Sequence, residues 1–307
     1  MTFAGYPPPD HLLGDLGMEA EVASETTAKV RTRVTPYVLA ADGGVRAGVL
    51  ATLVDVVGGA IAARVARPDW IATADLTMQL VGPVLGPWVE ARGSLVRRGK
   101  TTLVIEALVV AVDEDGDDMV VDGQIPDPVG WASMTFSVLP AQNPSSTIQM
   151  ASDLPIRWSF TGDGLDAPIL DVLPVTVIDA AAGRLSVPAH SYLHNSFGAV
   201  QGGVIALLAE AAACEALGAA QGGDGSDMVV TDLQIAYLAL GKVGPVVSTA
   251  RVLERGPGGR SSAVVELHDV GADDRLMTVV NVACAPVGGP VGGPVGAPVG
   301  APVGGPS

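Results

Sequence analysis

Asn195-Ser-Phe-Gly-Ala-Val-Gln-Gly-Gly-Val-Ile-Ala-Leu-Leu-Ala-Glu210 reads as a glycine-rich turn running directly into a helix. Gly202 and Gly203 stand where the helix begins, and Val204, Leu207, Leu208 and Ala211 give it an apolar face at helical spacing. The first turn of a helix leaves backbone N–H groups without intrahelical partners and carries partial positive charge. Glycine at that point lets a ligand oxygen approach those groups closely. Asn195 lies just upstream and Glu210 about two turns inside. An amide, an open helix start and a carboxylate are the parts needed to polarise a carbonyl and attack it. The same spacing also suits a tight turn, a core helix and one exposed acid.

The stretch resembles the signature of hotdog-fold acyl-CoA thioesterases of the phenylacetyl-CoA and 4-hydroxybenzoyl-CoA type, Asn-x-x-Gly-x-x-[His]-Gly-Gly-x-x-x-x-Leu-Ala-[Asp/Glu]. Asn195, Gly198, Gly202, Gly203, Leu208, Ala209 and Glu210 are in register with it, and Gln201 stands where most members carry His. The resemblance implies an α+β fold in which an antiparallel sheet wraps a central helix. It further implies that a glycine amide serves as oxyanion donor, that the acid acts as nucleophile or general base, and that each site is shared by two units.

A second copy of the pattern lies upstream. Aligning Asp55 with Glu210 pairs Gly43 with Gly198, Val45 with Val200, Gly48 with Gly203, Val49 with Val204, Ala51 with Ala206 and Leu53 with Leu208, all at one offset. Asp75-Leu76 then pairs with Asp232-Leu233, and Gly86-Pro87 with Gly244-Pro245. In each half, two strand candidates precede the helix and four follow it. The first-half helix runs from Val49 to about Arg67, where Pro68 stops it. Its Gly58-Gly59 pair costs roughly 1 kcal/mol per glycine relative to Ala, which implies tight packing there. The strands that follow are Ala74–Val81, Trp88–Arg97, Thr102–Val112 and Trp131–Leu139. In the second half, strands Val172–Ile178 and Arg184–Ala189 precede the helix from Gly203 to about Ala220. Val229–Leu240, Val246–Leu253, Ser262–His268 and Leu276–Ala285 follow it.

The expected organisation is therefore a tandem pair of hotdog units forming a pseudo-dimer. Residues 1–15 are a flexible arm, 16–140 the first unit, 141–155 a Pro/Ser/Gln/Asn-rich linker, 156–286 the second unit, and 287–307 a disordered Pro-Val-Gly-rich tail. The acidic stretch Asp113–Asp127 lacks the full spacing and closing Glu of a calcium loop and reads as a solvated surface loop.

Composition narrows the function. The chain has 307 residues, 48% of them hydrophobic but only 4% aromatic, so its interior is aliphatic. A net charge of −16 argues against nucleic acid and anionic membrane surfaces as partners. Two cysteines and four scattered histidines offer no disulfide framework and no metal site. The apolar run Val49–Val65 is interrupted by Asp55 and Arg64 and is not read as a membrane span, and Met1–Asp10 shows no signal peptide. The expectation is a cytoplasmic protein without cofactor or metal, the CoA thioester being its substrate. Acyl chain length, and whether two such chains associate as a homodimer, are left open.

The resemblance assigns the site across the halves. Asn195 and Gly202 come from the second half, and Asp55 comes from the first together with Thr73, two residues before Asp75. That set is complete: Gly202 N–H binds the oxyanion, Asp55 attacks or activates water, Thr73 orients the carboxylate or the water, and Asn195 positions the thioester. The reciprocal set has decayed, because Ala40, Ala47 and Val230 stand at the Asn, Gly and Thr positions and only Glu210 remains. Gln201 and Gly203 are further substrate-binding candidates. Arg97, Arg98, Lys100, Arg255 and Arg260 are candidates for the CoA phosphates, or simply charges on a solvated face. The function expected is acyl-CoA hydrolysis. A non-catalytic acyl-CoA binder remains an alternative, and less so a hotdog enoyl-CoA hydratase or dehydratase, which needs an Asp/His pair whose spacing is absent although His190 and His194 lie near the site.

Overall fold

The computed structural model describes residues 8, 10–119, 127–140, 153–253 and 261–287. Its centre is a pair of long helices, α2 (Ala47–Ala66) and α4 (Gly202–Ala220). By length and apolarity either could cross a membrane, yet 78% of the most apolar 18-residue window of each is buried inside the fold. Hydrophobicity all round is what a helix needs when a sheet covers one side and a second helix the other.

The sheet has thirteen strands in the order β7-β1-β2-β4-β5-β6-β3-β10-β13-β12-β11-β9-β8, antiparallel throughout. The first half supplies β1 (Glu19–Val22), β2 (Thr27–Arg33), β3 (Trp70–Leu80), β4 (Trp88–Arg98), β5 (Thr102–Val112) and β6 (Gly130–Leu139). The second supplies β8 (Thr176–Asp179), β9 (Arg184–Val187), β10 (Met228–Tyr237), β11 (Val246–Leu253), β12 (Ser261–Asp269) and β13 (Arg275–Pro286). Apart from β7 the order is a palindrome of the repeat, and its seam is β3 against β10, with Asp75 opposite Ala236 and Asp232 opposite Gln79. Two hotdog units thus share one continuous sheet. On the wrapped face, alternate residues such as Leu76, Met78, Leu103, Ile105, Met134 and Phe136 are fully buried. Each such burial contributes about 1.5–3 kcal/mol.

The helices run antiparallel and meet through glycine. A methyl on Gly48 would lie 2.7 Å from the backbone of Leu207, and a methyl on Gly203 would overlap Thr52. Thr52 and Leu207 occupy equivalent repeat positions, so the contact obeys the pseudo-twofold. Gly58 also has its expected reason, since a methyl there would crowd Met134 Sδ at 2.5 Å; Gly59 faces open space. The paired Gly43 and Gly198 share positive φ, +81° and +67°, in the turn before each helix.

Three expectations are corrected. Residues 12–15 of the supposed arm form a short helix, α1 (Leu12–Asp15), with Leu12 and Leu13 in the core. It is tied to the second half by His11 Nε2 to the His194 carbonyl (2.8 Å) and by the Tyr192 hydroxyl donating to Asp15 (2.8 Å). Residues 156–159, assigned to the second unit, form β7 (Ile156–Ser159), which pairs with β1 at the outer edge of the first half. The strand expected at 172–178 begins as a helical turn, α3 (Ile169–Val172), before β8. Most of the expected linker (141–152) and the tail from residue 288 lie outside the described residues. In the acidic loop, Glu114 pairs with Arg33 and Asp118 with Arg92, so part of its charge is neutralised against the sheet.

The helix contact yields a stability prediction. Gly48→Ala and Gly203→Ala should each lower unfolding free energy by about 1–3 kcal/mol, as overpacking does. Gly59→Ala should stabilise slightly through helix propensity. Thermal denaturation of the three variants checks the order.

Candidate functional site

Antiparallel packing places the middle of each helix beside the start of the other. Asp55, two turns into α2, lies against the start of α4, and Glu210, two turns into α4, lies against the start of α2. These equivalent junctions differ in what fills them.

At the Glu210 junction everything is satisfied. Glu210 Oε2 accepts from Gly48 N–H at 2.8 Å, and Oε1 pairs with Arg46 at 3.2 Å. Burial pushes the carboxyl of Glu210 upward, while Arg46 and the Gly48 N–H pull it back in part. The expected partner at this degenerate site was Ala47; the acid instead takes the next amide, Gly48, and the cation at position 46. The repeat places Gln201 opposite Arg46, so the other junction has no such cation.

At the Asp55 junction the carboxylate is one methylene shorter. Oδ1 accepts from the Thr73 hydroxyl at 2.7 Å. Oδ2 faces Gly202, where an added methyl would lie 2.8 Å from it and 2.9 Å from the Tyr237 hydroxyl. Gly202 is therefore glycine because those two oxygens fill the space beside its Cα. Gln201, the residue before α4, is buried and does not cap the helix with its side chain. At the start of α4 no side chain among the described residues takes the Gly203 N–H, the equivalent of the Gly48 N–H that Glu210 takes up at α2. Burial raises the ionisation point of Asp55 above the ordinary aspartate value, with the Thr73 hydrogen bond opposing it.

Thr73 reaches Asp55 because β3 is irregular there. Leu76 and Met78 face the helices, and regular alternation would turn Thr73 outward with Asp75 and Thr77. A β-bulge between Thr73 and Asp75 reverses the phase, so Thr73 is opposite the buried Phe136 and faces inward. The same bulge recurs in β10 between Val230 and Asp232.

Thr73, Gly202 and Tyr237, the neighbours of the Asp55 carboxylate, line a half-open cleft of about 220 Å³ walled by both halves; Asp55 itself sits behind them and is not part of the lining. Ile71 and Thr73 come from β3, Phe197 and Val200 from the turn before α4, and Tyr237 and Leu238 from the end of β10. Phe197 packs against Trp70 of the first half with ring centroids 5.2 Å apart. A larger depression of about 570 Å³ beside β1, β2 and β7 is lined by ion-paired side chains such as Glu19 with Arg31, and carries no comparable set of reactive groups.

Asn195 lines the cleft, yet its Oδ1 already accepts from Phe197 N–H (2.9 Å) and Ala199 N–H (3.2 Å), which shapes the turn. Only its NH₂ end is left for a ligand. Arg97, Arg98 and Lys100 are exposed at the β4–β5 end and do not line the cleft. Arg255 and Arg260 lie outside the described residues. His190 and His194 do not line the cleft either; His190 Nδ1 accepts from Tyr192 N–H and His194 offers its carbonyl to His11. Tyr237 was missed from the sequence. Its repeat counterpart is Leu80, and that exchange of an apolar residue for a hydroxyl is the signal that could have found it.

The comparisons agree with this architecture. The profile of the thioesterase superfamily matches residues 43–116 and 197–277, both repeats, and the chain belongs to that family. Among solved structures it is similar to a Lactobacillus plantarum protein provisionally designated an oleoyl thioesterase (TM-score 0.56, 10% identity, 86% of this chain and 97% of that one). It is similar also to the tesB protein of Mycobacterium avium subspecies paratuberculosis (0.56, 11%, 87% and 95%). A third is the 12:0-ACP thioesterase of Umbellularia californica (0.53, 8%, 85% and 94%). No curated protein sequence matches significantly.

The two acids should differ in what their removal does to stability. Because the folded state raises the ionisation point of Asp55, it binds that proton more tightly than the unfolded chain does. Stability is then lost as pH rises through the folded-state value. Asp55→Asn should therefore melt at or above the wild-type temperature at pH 8, with the two converging near pH 4. Glu210→Ala should melt lower, because Gly48 N–H loses its acceptor and a cavity opens. Glu210→Gln, which keeps an acceptor, should not.

Proposed function

We propose that the chain is an acyl-CoA thioesterase with one working site, composed of Asp55 and Thr73 from the first half and Gly202 and Asn195 from the second. The observation that carries this reading is the Asp55 carboxylate set against the uncapped start of α4, directly behind Thr73, Gly202 and Tyr237, which line a mainly apolar cleft. The thioester carbonyl oxygen would take the Gly202 N–H, with the Gly203 N–H beside it. The helix dipole adds to the stabilisation of the oxyanion. Losing one such donor costs about 2.7–4 kcal/mol in enzymes where it has been measured. Asp55 attacks the carbonyl carbon or takes the proton of an attacking water, and Thr73 fixes its orientation. The thiolate leaves towards the cleft mouth. The NH₂ end of Asn195 is placed to hold the thioester.

The lining favours a neutral, apolar acyl group. Arg98 is in the same cross-strand row as Thr73, by way of Leu103 and Phe136. Three strand spacings of about 4.8 Å put it roughly 14 Å away. The pantetheine arm covers that distance, so of Arg97, Arg98 and Lys100 it is Arg98, in the row of Thr73, that fits the phosphates; Arg97 alternates to the other face.

Incubating the protein with a panel of acyl-CoA and acyl-carrier substrates and a thiol reagent tests the proposal. Thiol release from acyl-CoA is expected. It should fall by orders of magnitude in Asp55→Asn and only several-fold in Glu210→Gln. Activity should decline as pH falls through a value above the usual aspartate range, because the ionised carboxylate is the working form. Saturable binding without thiol release would replace the hydrolase with a binding protein. Abolition by Glu210→Gln with Asp55→Asn active would move the site to the other junction.

A further inference from the structure

Tyr237 lies at the end of β10, next to the residue paired with Asp75 across the seam. It is partly exposed to the cleft, and its hydroxyl donates to the Gly202 carbonyl at 3.3 Å, a long bond. The hydroxyl and Asp55 Oδ2 flank the same point beside Gly202 Cα. Thr73 holds the other carboxylate oxygen. A phenolic O–H has one proton, and an ionised carboxylate is a stronger acceptor than a peptide carbonyl.

We propose that Tyr237 is a positioning residue for Asp55: when the carboxylate is ionised, the hydroxyl turns from the Gly202 carbonyl to Asp55 Oδ2 and fixes the oxygen that Thr73 does not hold. Both carboxylate oxygens are then oriented from strands on either side of the seam, and each keeps a lone pair for the carbonyl carbon or for water. Burial, and after it the charge of Asp55, keeps the Tyr237 proton in place well beyond neutral pH, so the hydroxyl remains able to donate. The groups that face Asp55 are Thr73 from β3, Tyr237 from β10 and the start of α4. The other acids nearest in sequence on those elements, Asp75 and Glu210, do not contribute to the shift of Asp55.

Kinetically the inference rests on the hydrolase reading, but its central claim can be tested without turnover. Carboxyl-¹³C-aspartate NMR titration should find Asp55, assigned through Asp55→Asn, ionising at higher pH in Tyr237→Phe than in wild type. The expected shift is about one pH unit, a tenfold change in the protonation equilibrium. If acyl-CoA is turned over, the acid limb of kcat should move up by the same amount. The loss of kcat would then be about tenfold or more at low pH and smaller at high pH, with KM changed less than threefold and Tm unchanged near pH 4, falling only as pH rises through the Asp55 titration. A hydroxyl that only props the start of α4 would lower Tm equally at pH 4 and pH 8 and leave the titration in place. An unmoved Asp55 titration in a folded Tyr237→Phe protein overturns the proposal. Absence of turnover in wild type with a shifted titration would sink the hydrolase reading and leave this one standing.

Discussion

The structure depends on how closely α2 and α4 approach. Gly48 against Leu207 and Gly203 against Thr52 remove the methyl groups that would hold the helices apart. The approach is antiparallel, so it brings an acid from the middle of each helix to the amide-rich start of the other. Sheet wrapping, the seam and the shared cleft all preserve that arrangement. Without the glycines the same helices would pack at an ordinary distance, and neither acid would meet a helix start.

From this one contact the halves have gone different ways. At one junction Glu210 is long enough to reach Gly48 N–H, and Arg46 neutralises it. The result is a filled, internally satisfied joint. At the other, Asp55 is a methylene shorter, Gln201 replaces the cation, and the helix start stays open. The open junction retains a partly desolvated carboxylate whose charge the fold does not fully compensate. Such unpaid-for charge is what a reactive carboxylate requires, and it sets stability against activity at this position. Duplication within one chain permits the division, because substituting one acid no longer alters both sites as it would in a homodimer.

Much of this was legible in the residues. The shared offset across six identities exposed the repeat, and the glycine pairs marked the helix starts. The Asp55–Thr73 pair within the first half followed from the resemblance and meets at 2.7 Å. What escaped was set by long-range packing. Leu12–Asp15 looked like an arm because the groups that tie it down, the His194 carbonyl and the Tyr192 hydroxyl, lie in the other half. The Ile156–Ser159 strand joins the unit that precedes it, which no local pattern announces. Asn195 resembled a substrate ligand, but the side-chain oxygen is used on its own turn, a local competition common for this residue type. Tyr237 belongs to no motif and becomes visible only when the seam brings β10 to β3.

That seam is more than a tether. Pairing Asp75 with Ala236 sets β10 beside β3 in one register, so that Tyr237 and Thr73 come to the same carboxylate from opposite sides. The bulge between Thr73 and Asp75 then turns Thr73 inward, without which its hydroxyl would face solvent with Asp75. A slip of one residue at the seam would reverse the faces and separate the two hydroxyls. The backbone register between the two halves, rather than any single side chain, therefore fixes the surroundings of Asp55. A break in the continuous sheet would dismantle the site while leaving each half with its own helix and strands.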